Sequence, residues 1–159
     1  MSQSDVTGPE LARLALFEGL PEPELAALAE LGSRRHLADG ETLLEQGRAA
    51  VELYAIVRGR IVLRAADDSS SAIVATLGPG DILGWSALRE HATALTSAEA
   101  AAETEVIAIP VDAVIDLAAG GSSQARRLVQ RLIAIAAADL EASRAQLLRS
   151  GREGVITGG

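Results

Sequence analysis

Gly78-Pro79-Gly80-Asp81-Ile82-Leu83-Gly84-Trp85-Ser86-Ala87-Leu88 is the stretch on which the architecture of this 159-residue chain turns. Gly78-Pro79-Gly80 is a turn signal, because a residue with fixed φ stands between two that tolerate positive φ. Ile82-Leu83 is a short apolar run. Gly84 then lets the backbone turn tightly or approach another group closely. Trp85 is the only tryptophan. Residues 86–89 suit one helical turn, whose first N–H groups lack intrahelical partners. A strand that bends through Gly into such a turn builds an anion cradle. The same residues also suit a plain strand-to-helix corner with no ligand.

The rest of the composition narrows the chemistry. The length suits one domain with a proper core. The formal net charge of −8 disfavours direct contact with nucleic acid, which needs a basic face. Cysteine is absent, which excludes disulfides, thiolate metal sites and cysteine nucleophiles. Lysine and asparagine are absent too, so Schiff-base chemistry, a P-loop lysine and N-glycosylation are excluded. The first residues have no apolar core of a signal peptide, and no apolar run is long enough to span a bilayer. A cytoplasmic protein with no membrane contact is the expectation.

Along the chain, residues 1–8 read as a disordered lead. Residues 10–17 read as a short helix ended by Gly19. Pro21-Glu22-Pro23-Glu24 opens a second helix with Leu25, Leu28, Ala29 and Leu31 on its apolar face, stopped by Gly32. The period then changes from 3.6 to 2. Strands are expected at 34–37, 42–44, 53–57, 60–64, 72–77, 95–101 and 104–109. Turns fall at Ala38-Asp39-Gly40, Glu45-Gln46-Gly47, Arg58-Gly59 and Glu103, and a polar hairpin loop at Asp67 to Ser71. Residues 53–57 are apolar throughout, as a central strand would be. Short strands separated by glycine corners indicate a rolled or closed β-structure over about 33–110. Pro110 ends it, 111–118 is a short helix, and Ser122 or Ser123 caps a long helix over about 122–149. Leu128, Leu132 and Ile135 form one stripe of that helix. Val129, Ile133, Ala136, Leu140, Ser143 and Leu147 form a second with a 4-3 step. Two apolar stripes must pack on two surfaces, here the β-roll and the same helix of a second copy. One broad face packed within a monomer is the alternative. Residues 150–159 read as a flexible tail. The fold class is therefore α+β, with a domain over 9–149.

This order of elements resembles the cyclic nucleotide-binding domain family, specifically the sensor half of Crp/Fnr-type regulators. The resemblance covers roughly residues 17–148. It is carried by Gly40-Glu41-Thr42-Leu43-Leu44-Glu45-Gln46-Gly47, Leu53-Tyr54-Ala55-Ile56-Val57-Arg58-Gly59-Arg60-Ile61-Val62-Leu63, the Gly78–Gly84 stretch, and Thr104-Glu105-Val106-Ile107-Ala108-Ile109. It implies a β-roll, a C-terminal dimerisation helix, and a pocket built on Gly84, Trp85, Ser86, Ala87, Leu88, Ala94, Leu95, Thr96, Arg131 and Ile135. Three departures alter that implication. The family's helix-turn-helix does not follow the long helix. Trp85 stands where the family's cassette places a ribose-binding Glu, and Ala94 where it places a phosphate-binding Arg. Ile135-Ala136-Ala137-Ala138 offers nothing to a purine edge. A charge-assisted hydrogen bond contributes roughly 1.5–3 kcal/mol, so losing two weakens a nucleotide by orders of magnitude. A group of single-domain bacterial relatives carries a similar Gly-Trp-Ser segment, and this chain resembles those most.

Other chemistry is weaker. Gly84-Trp85-Ser86-Ala87-Leu88 lacks the second Gly of a nucleophile elbow and has no α/β pattern around it, so no enzyme is expected. His36 and His91 sit in no ligand cluster, so no metal and no cofactor is expected. Arg58, Arg60 and Arg64 read as a solvated strand face. Arg126, Arg127 and Arg131 are a possible substitute for the missing cation. Trp85 is either a plug for an empty pocket or a stacking surface for a planar ligand. The expectation is a non-catalytic Crp/Fnr-type sensor module, dimeric, with an effector of unassigned identity and a protein partner rather than DNA. The alternatives are a ligand-free interaction scaffold and a component of a cAMP receptor-like transcription regulator.

Overall fold

Alternation over Ser33–Pro110 resolves into two four-stranded antiparallel sheets in a computed structural model that describes residues 5–84, 87, 93–120, 123, 126–134 and 137. The strands are β1 (Ser33–Leu37), β2 (Thr42–Leu44), β3 (Glu52–Arg58), β4 (Ile61–Ala66), β5 (Ser71–Leu77), β6 (Ile82–Leu83), β7 (Ser97–Ala100) and β8 (Thr104–Pro110). One sheet has the order β1-β8-β3-β6 and the other β2-β7-β4-β5. This is the rolled β-structure expected, flanked by helices α1 (Gly8–Ala12), α2 (Glu22–Leu31) and α3 (Val111–Gly120), with residues 126–134 also helical.

The β3 and β8 strands lie inside their sheet and are buried on both faces, which is why residues 53–57 and 106–109 are continuous apolar runs. Tyr54, Ile56, Val106 and Ala108 face the space between the sheets, where they meet Ile61, Leu83, Ala98 and Ala100. Leu53, Ala55, Ile107 and Ile109 face the helical layer, where they meet Leu11, Phe17, Leu28 and Val114. Fully burying one such side chain stabilises the fold by about 1.5–3 kcal/mol.

The β3–β4 corner at Gly59 has φ +97, and a Cβ there would collide with the Thr104 hydroxyl. Thr104 is a buried polar residue. Its oxygen accepts the Arg60 N–H at 3.2 Å and its hydroxyl lies 2.9 Å from the Ala102 carbonyl. Such pairing is what makes a buried hydroxyl tolerable.

The N-terminal part differs from its expectation. The helix expected over 10–17 is broken into α1 and a 3-10 turn, Ala15–Phe17. A single regular helix would spread Leu14, Leu16 and Phe17 over too wide an arc to bury all of them, and all are buried here. The lead expected over 1–8 is docked from Asp5 on, because Val6 is buried and Thr7 caps α1. Thr7 Oγ1 accepts the Glu10 N–H and Glu10 Oε2 accepts the Thr7 N–H, a reciprocal capping box. Leu31, expected on the apolar face of α2, is 58% exposed, since at 100° per residue it falls well off the Leu25–Leu28–Ala29 stripe.

Arginines pin this layer at two places. Arg34 of β1 binds Glu10 at 2.6 Å, Asp5 at 3.2 Å and Glu105 at 3.3 Å. Arg131, on the helical segment 126–134, donates from Nη1 to the carbonyls of Leu16 and Glu18. Beside it, Leu128 and Leu132 are buried in the same cluster as Leu16 and Phe17. Leu128 and Leu132 of the first stripe thus pack on their own domain. Of the second stripe, Val129 is half-buried and Ile133 is 61% exposed. Ile135, Ala136, Leu140, Ser143 and Leu147 lie outside the described residues, as does most of the expected 122–149 helix. Among the described residues, no helix is long and apolar enough to cross a membrane.

Candidate ligand site at the 84–96 loop

The site begins where β3 holds the incoming limb. Gly80 N–H donates to the Ile56 carbonyl at 2.8 Å, and the Asp81 carbonyl accepts the Ile56 N–H at 3.0 Å. Asp81 Oδ2 accepts the Gly78 N–H at 2.8 Å, closing the turn as an Asp side chain commonly does. Only Gly80 of the two turn glycines has positive φ. Short β6 then pairs Tyr54 with Leu83 and Ala55 with Ile82. Gly84 follows at φ +96, pressed against residues 52–54 of β3. A Cβ on it would overlap the Glu52 carbonyl oxygen and lie 3.4 Å from Tyr54 Cδ2.

Beyond Gly84, the Ala87 N–H donates to the Gly84 carbonyl at 3.0 Å. Ala87 is buried against Ala50 and Val111. Trp85, Ser86, Leu88 and His91 lie outside the described residues. The outgoing limb returns at Thr93, which bridges Ala49. Ala94 is 2% exposed, with its N–H on the Arg48 carbonyl at 2.8 Å and its carbonyl on the Gly47 N–H at 2.9 Å. These bonds explain why β7 starts at Ser97 and not at Leu95 as expected. Leu95 is 54% exposed and Thr96 half-buried, in a bend before the ladder.

The charged groups beside the incoming limb were not anticipated. Glu52 accepts two hydrogen bonds from Arg35 Nη2, both at 2.8 Å, and one from the Tyr54 hydroxyl at 3.2 Å. The Arg35 guanidinium also stands over the Tyr54 ring, 5.7 Å from its centroid. Burial, reinforced by the Glu52 charge, pushes the Tyr54 phenol above its ordinary range. Period-two alternation places Glu52 and Tyr54 on one face of β3, so that half was legible. Their partner on β1 carries no local signal.

The expected substitute cation is placed elsewhere. Arg131 is engaged with the Leu16 and Glu18 carbonyls, at the end of the 3-10 turn where free carbonyls attract a cation. Arg126 and Arg127 are exposed. Arg58 ends β3 and Arg60 stands just before β4, both exposed, and Arg64 pairs with Glu99 at 3.8 Å. His36 is a surface strand residue 3.6 Å from Glu105. Among the described residues, no group of His, Cys, Asp or Glu is arranged to hold a metal ion.

The family model of the cyclic nucleotide-binding domain matches residues 34–120. The CRP-like cAMP-activated global transcriptional regulator of Mycobacterium tuberculosis is 26% identical over 105 residues, 65% of this chain and 47% of that protein. Glutaminase 2 of Bradyrhizobium diazoefficiens is 29% identical over 139 residues, 86% of this chain but 21% of that protein. The chain thus spans less than half the length of these curated relatives. The solved structure of a cyclic nucleotide-binding-like protein from Brucella abortus is similar with a TM-score of 0.58 at 33% identity, covering 77% of this chain and 97% of that one.

Proposed function

Since this chain belongs to the cyclic nucleotide-binding domain family, a regulatory fold, we propose that it is a non-catalytic sensor module of the Crp/Fnr type whose 84–96 loop takes a small effector other than ordinary cAMP. The observation that carries this reading is Ala94. It stands on the outgoing limb where the resemblance calls for a phosphate-binding Arg, it is buried, and both its backbone groups are engaged by Gly47 and Arg48. Arg131 is tied to the helical layer, so it does not supply the missing charge from its observed position. The effector would signal through the helix that carries Val129 and Ile133, paired with that of a second copy, to a protein partner. The exposure of Ile133 supports that pairing. The match to one fifth of a glutaminase supports a module that couples to larger chains.

A thermal-shift screen of nucleotides, acyl compounds and metabolites tests the reading. A ligand that binds only the folded state raises Tm by mass action, by about 2.7 kcal/mol of stability at a hundred times Kd. A shift with an uncharged or non-cyclic ligand is expected. A large shift with micromolar cAMP overturns the choice of effector.

A second reading, a ligand-free docking scaffold, draws support from the space between the sheets. Leu37, Tyr54, Ile56, Ile61 and Leu83 pack together there with partly buried Leu43, Leu63 and Leu77. Under that reading no compound shifts Tm.

A further inference from the structure

The outgoing limb of the loop is bracketed by a side chain that lies outside both the loop and the apolar interior. Gln46 Nε2 donates to the Ala66 carbonyl at 2.9 Å, and its Oε1 accepts the Ala66 N–H at 2.8 Å. A primary amide offers donor and acceptor side by side, as a peptide group does, so this pair acts as an extra rung at the end of β4. The backbone N–H of Gln46 donates to Ser97 Oγ at 3.0 Å, at the first residue of β7. The next residues then run along the limb. Gly47 N–H binds the Ala94 carbonyl, the Arg48 carbonyl binds the Ala94 N–H, and Ala49 bridges Thr93. One arm of the 46–49 turn is therefore fixed to the turn end of the β4–β5 hairpin, and the other arm holds residues 93–97.

We infer that Gln46 is a positioning residue for the outgoing limb, residues 93–97: its side-chain amide sets where that limb lies relative to the β4–β5 sheet. The significance of the inference rests on the 84–96 loop being the binding site, but its test needs no ligand. Failure to find any effector would leave it standing, and its own failure would leave the effector reading standing.

Substitutions separate the donor from the acceptor. Gln46→Ala removes both bonds to Ala66. Gln46→Glu keeps the reach and, when ionised, sets an acceptor against the Ala66 carbonyl. Protonated below its ordinary pKa of about 4.3, the same carboxyl regains a donor and restores the pair. Ser97→Ala loosens the turn from its other arm without touching the side chain of Gln46.

Native-state hydrogen exchange on the full chain reads the outcome amide by amide. In Gln46→Ala at pH 7, the protection of Gly47 and Ala94 falls about five- to tenfold, while amides of the β4–β7 and β3–β8 ladders stay within about twofold of wild type. Ser97→Ala lowers the same two amides. Gln46→Glu, which keeps an acceptor for the Ala66 N–H, also lowers the two amides at pH 7 and returns to within about threefold of wild type near pH 3.5, each variant being compared with wild type at the same pH. Unchanged protection at Gly47 and Ala94 overturns the inference, as does a uniform loss across both sheets. A Gln46→Glu profile that ignores pH overturns it equally.

Discussion

The carbonyl oxygen of Glu52 occupies the space that a Cβ on Gly84 would need. The position is closed to side chains twice over, because Gly84 also has φ +96. Gly84→Ala is expected to destabilise the fold by at least about 1–3 kcal/mol from the backbone conformation alone. Urea denaturation gives the value. A loss under about 0.5 kcal/mol would show that the loop relocates without strain.

The Arg34 cluster predicts an acid-sensitive stability. The Arg34 hydrogen bond holds the Glu10 carboxyl below its usual value, with the Thr7 N–H and hydroxyl assisting. A carboxylate with a lowered pKa in the folded state contributes fully above the ordinary Glu range, near 4.3, and loses that contribution as pH falls through the folded value. Glu10→Gln should therefore be less stable than wild type at pH 7, with the two curves converging toward pH 3. A gap that persists at pH 3 would assign the effect to packing. A double-mutant cycle of Arg34→Ala with Glu10→Gln should give a coupling of about 1 kcal/mol, screened by salt.

Helix pairing is checked by sedimentation. Wild type should be a dimer at micromolar concentration. Ile133→Glu with Leu140→Glu should be a monomer of unchanged circular dichroism. A monomeric wild type removes the pairing and leaves Ile133 as ordinary exposed surface.

For nucleotides, isothermal titration should show cAMP and cGMP binding with Kd well above micromolar. Restoring both charged groups through Trp85→Glu with Ala94→Arg should gain about a hundredfold or more, from two charge-assisted bonds of about 1.5–3 kcal/mol each. Because Ala94 is buried, the gain should come with a lower Tm in the absence of ligand. Tight cAMP binding by wild type would refute the argument from Ala94.

The acid excess predicts no DNA shift in a gel assay at 50 mM salt or above, since formal net charge is −8. A salt-sensitive, sequence-specific shift would contradict it.

The strands were legible because each depends on local signals. Period-two alternation gave β4, an unbroken apolar run gave β3, and glycine corners set the breaks. The α1 cap was legible in principle, as Thr7-Gly8-Pro9-Glu10 has Thr and Glu at capping-box spacing. What stayed hidden depends on partners far along the chain. Nothing near Arg34 announces Glu10 or Glu105, nothing near Arg131 announces the Leu16 carbonyl, and nothing near Arg35 announces Glu52. The delayed start of β7 was hidden for the same reason, because residues 47 and 48 compete for Ala94. Of the expected pocket residues, Gly84 and Ala94 flank the loop, whereas Arg131 belongs to the helical layer.

The grip of Arg131, Leu128 and Leu132 on residues 16–18 joins the two ends of the described chain. A chain made from its N-terminus therefore exposes Leu11, Leu16 and Phe17 before the segment that helps cover them exists. At synthesis rates of about 5–20 residues per second, that interval is on the order of 5–20 seconds. Throughout it the N-terminal helices present an apolar surface to whatever protects nascent chains. Folding quality in the cell should thus depend on translation speed between residues 20 and 132 more than on the speed of synthesis after them.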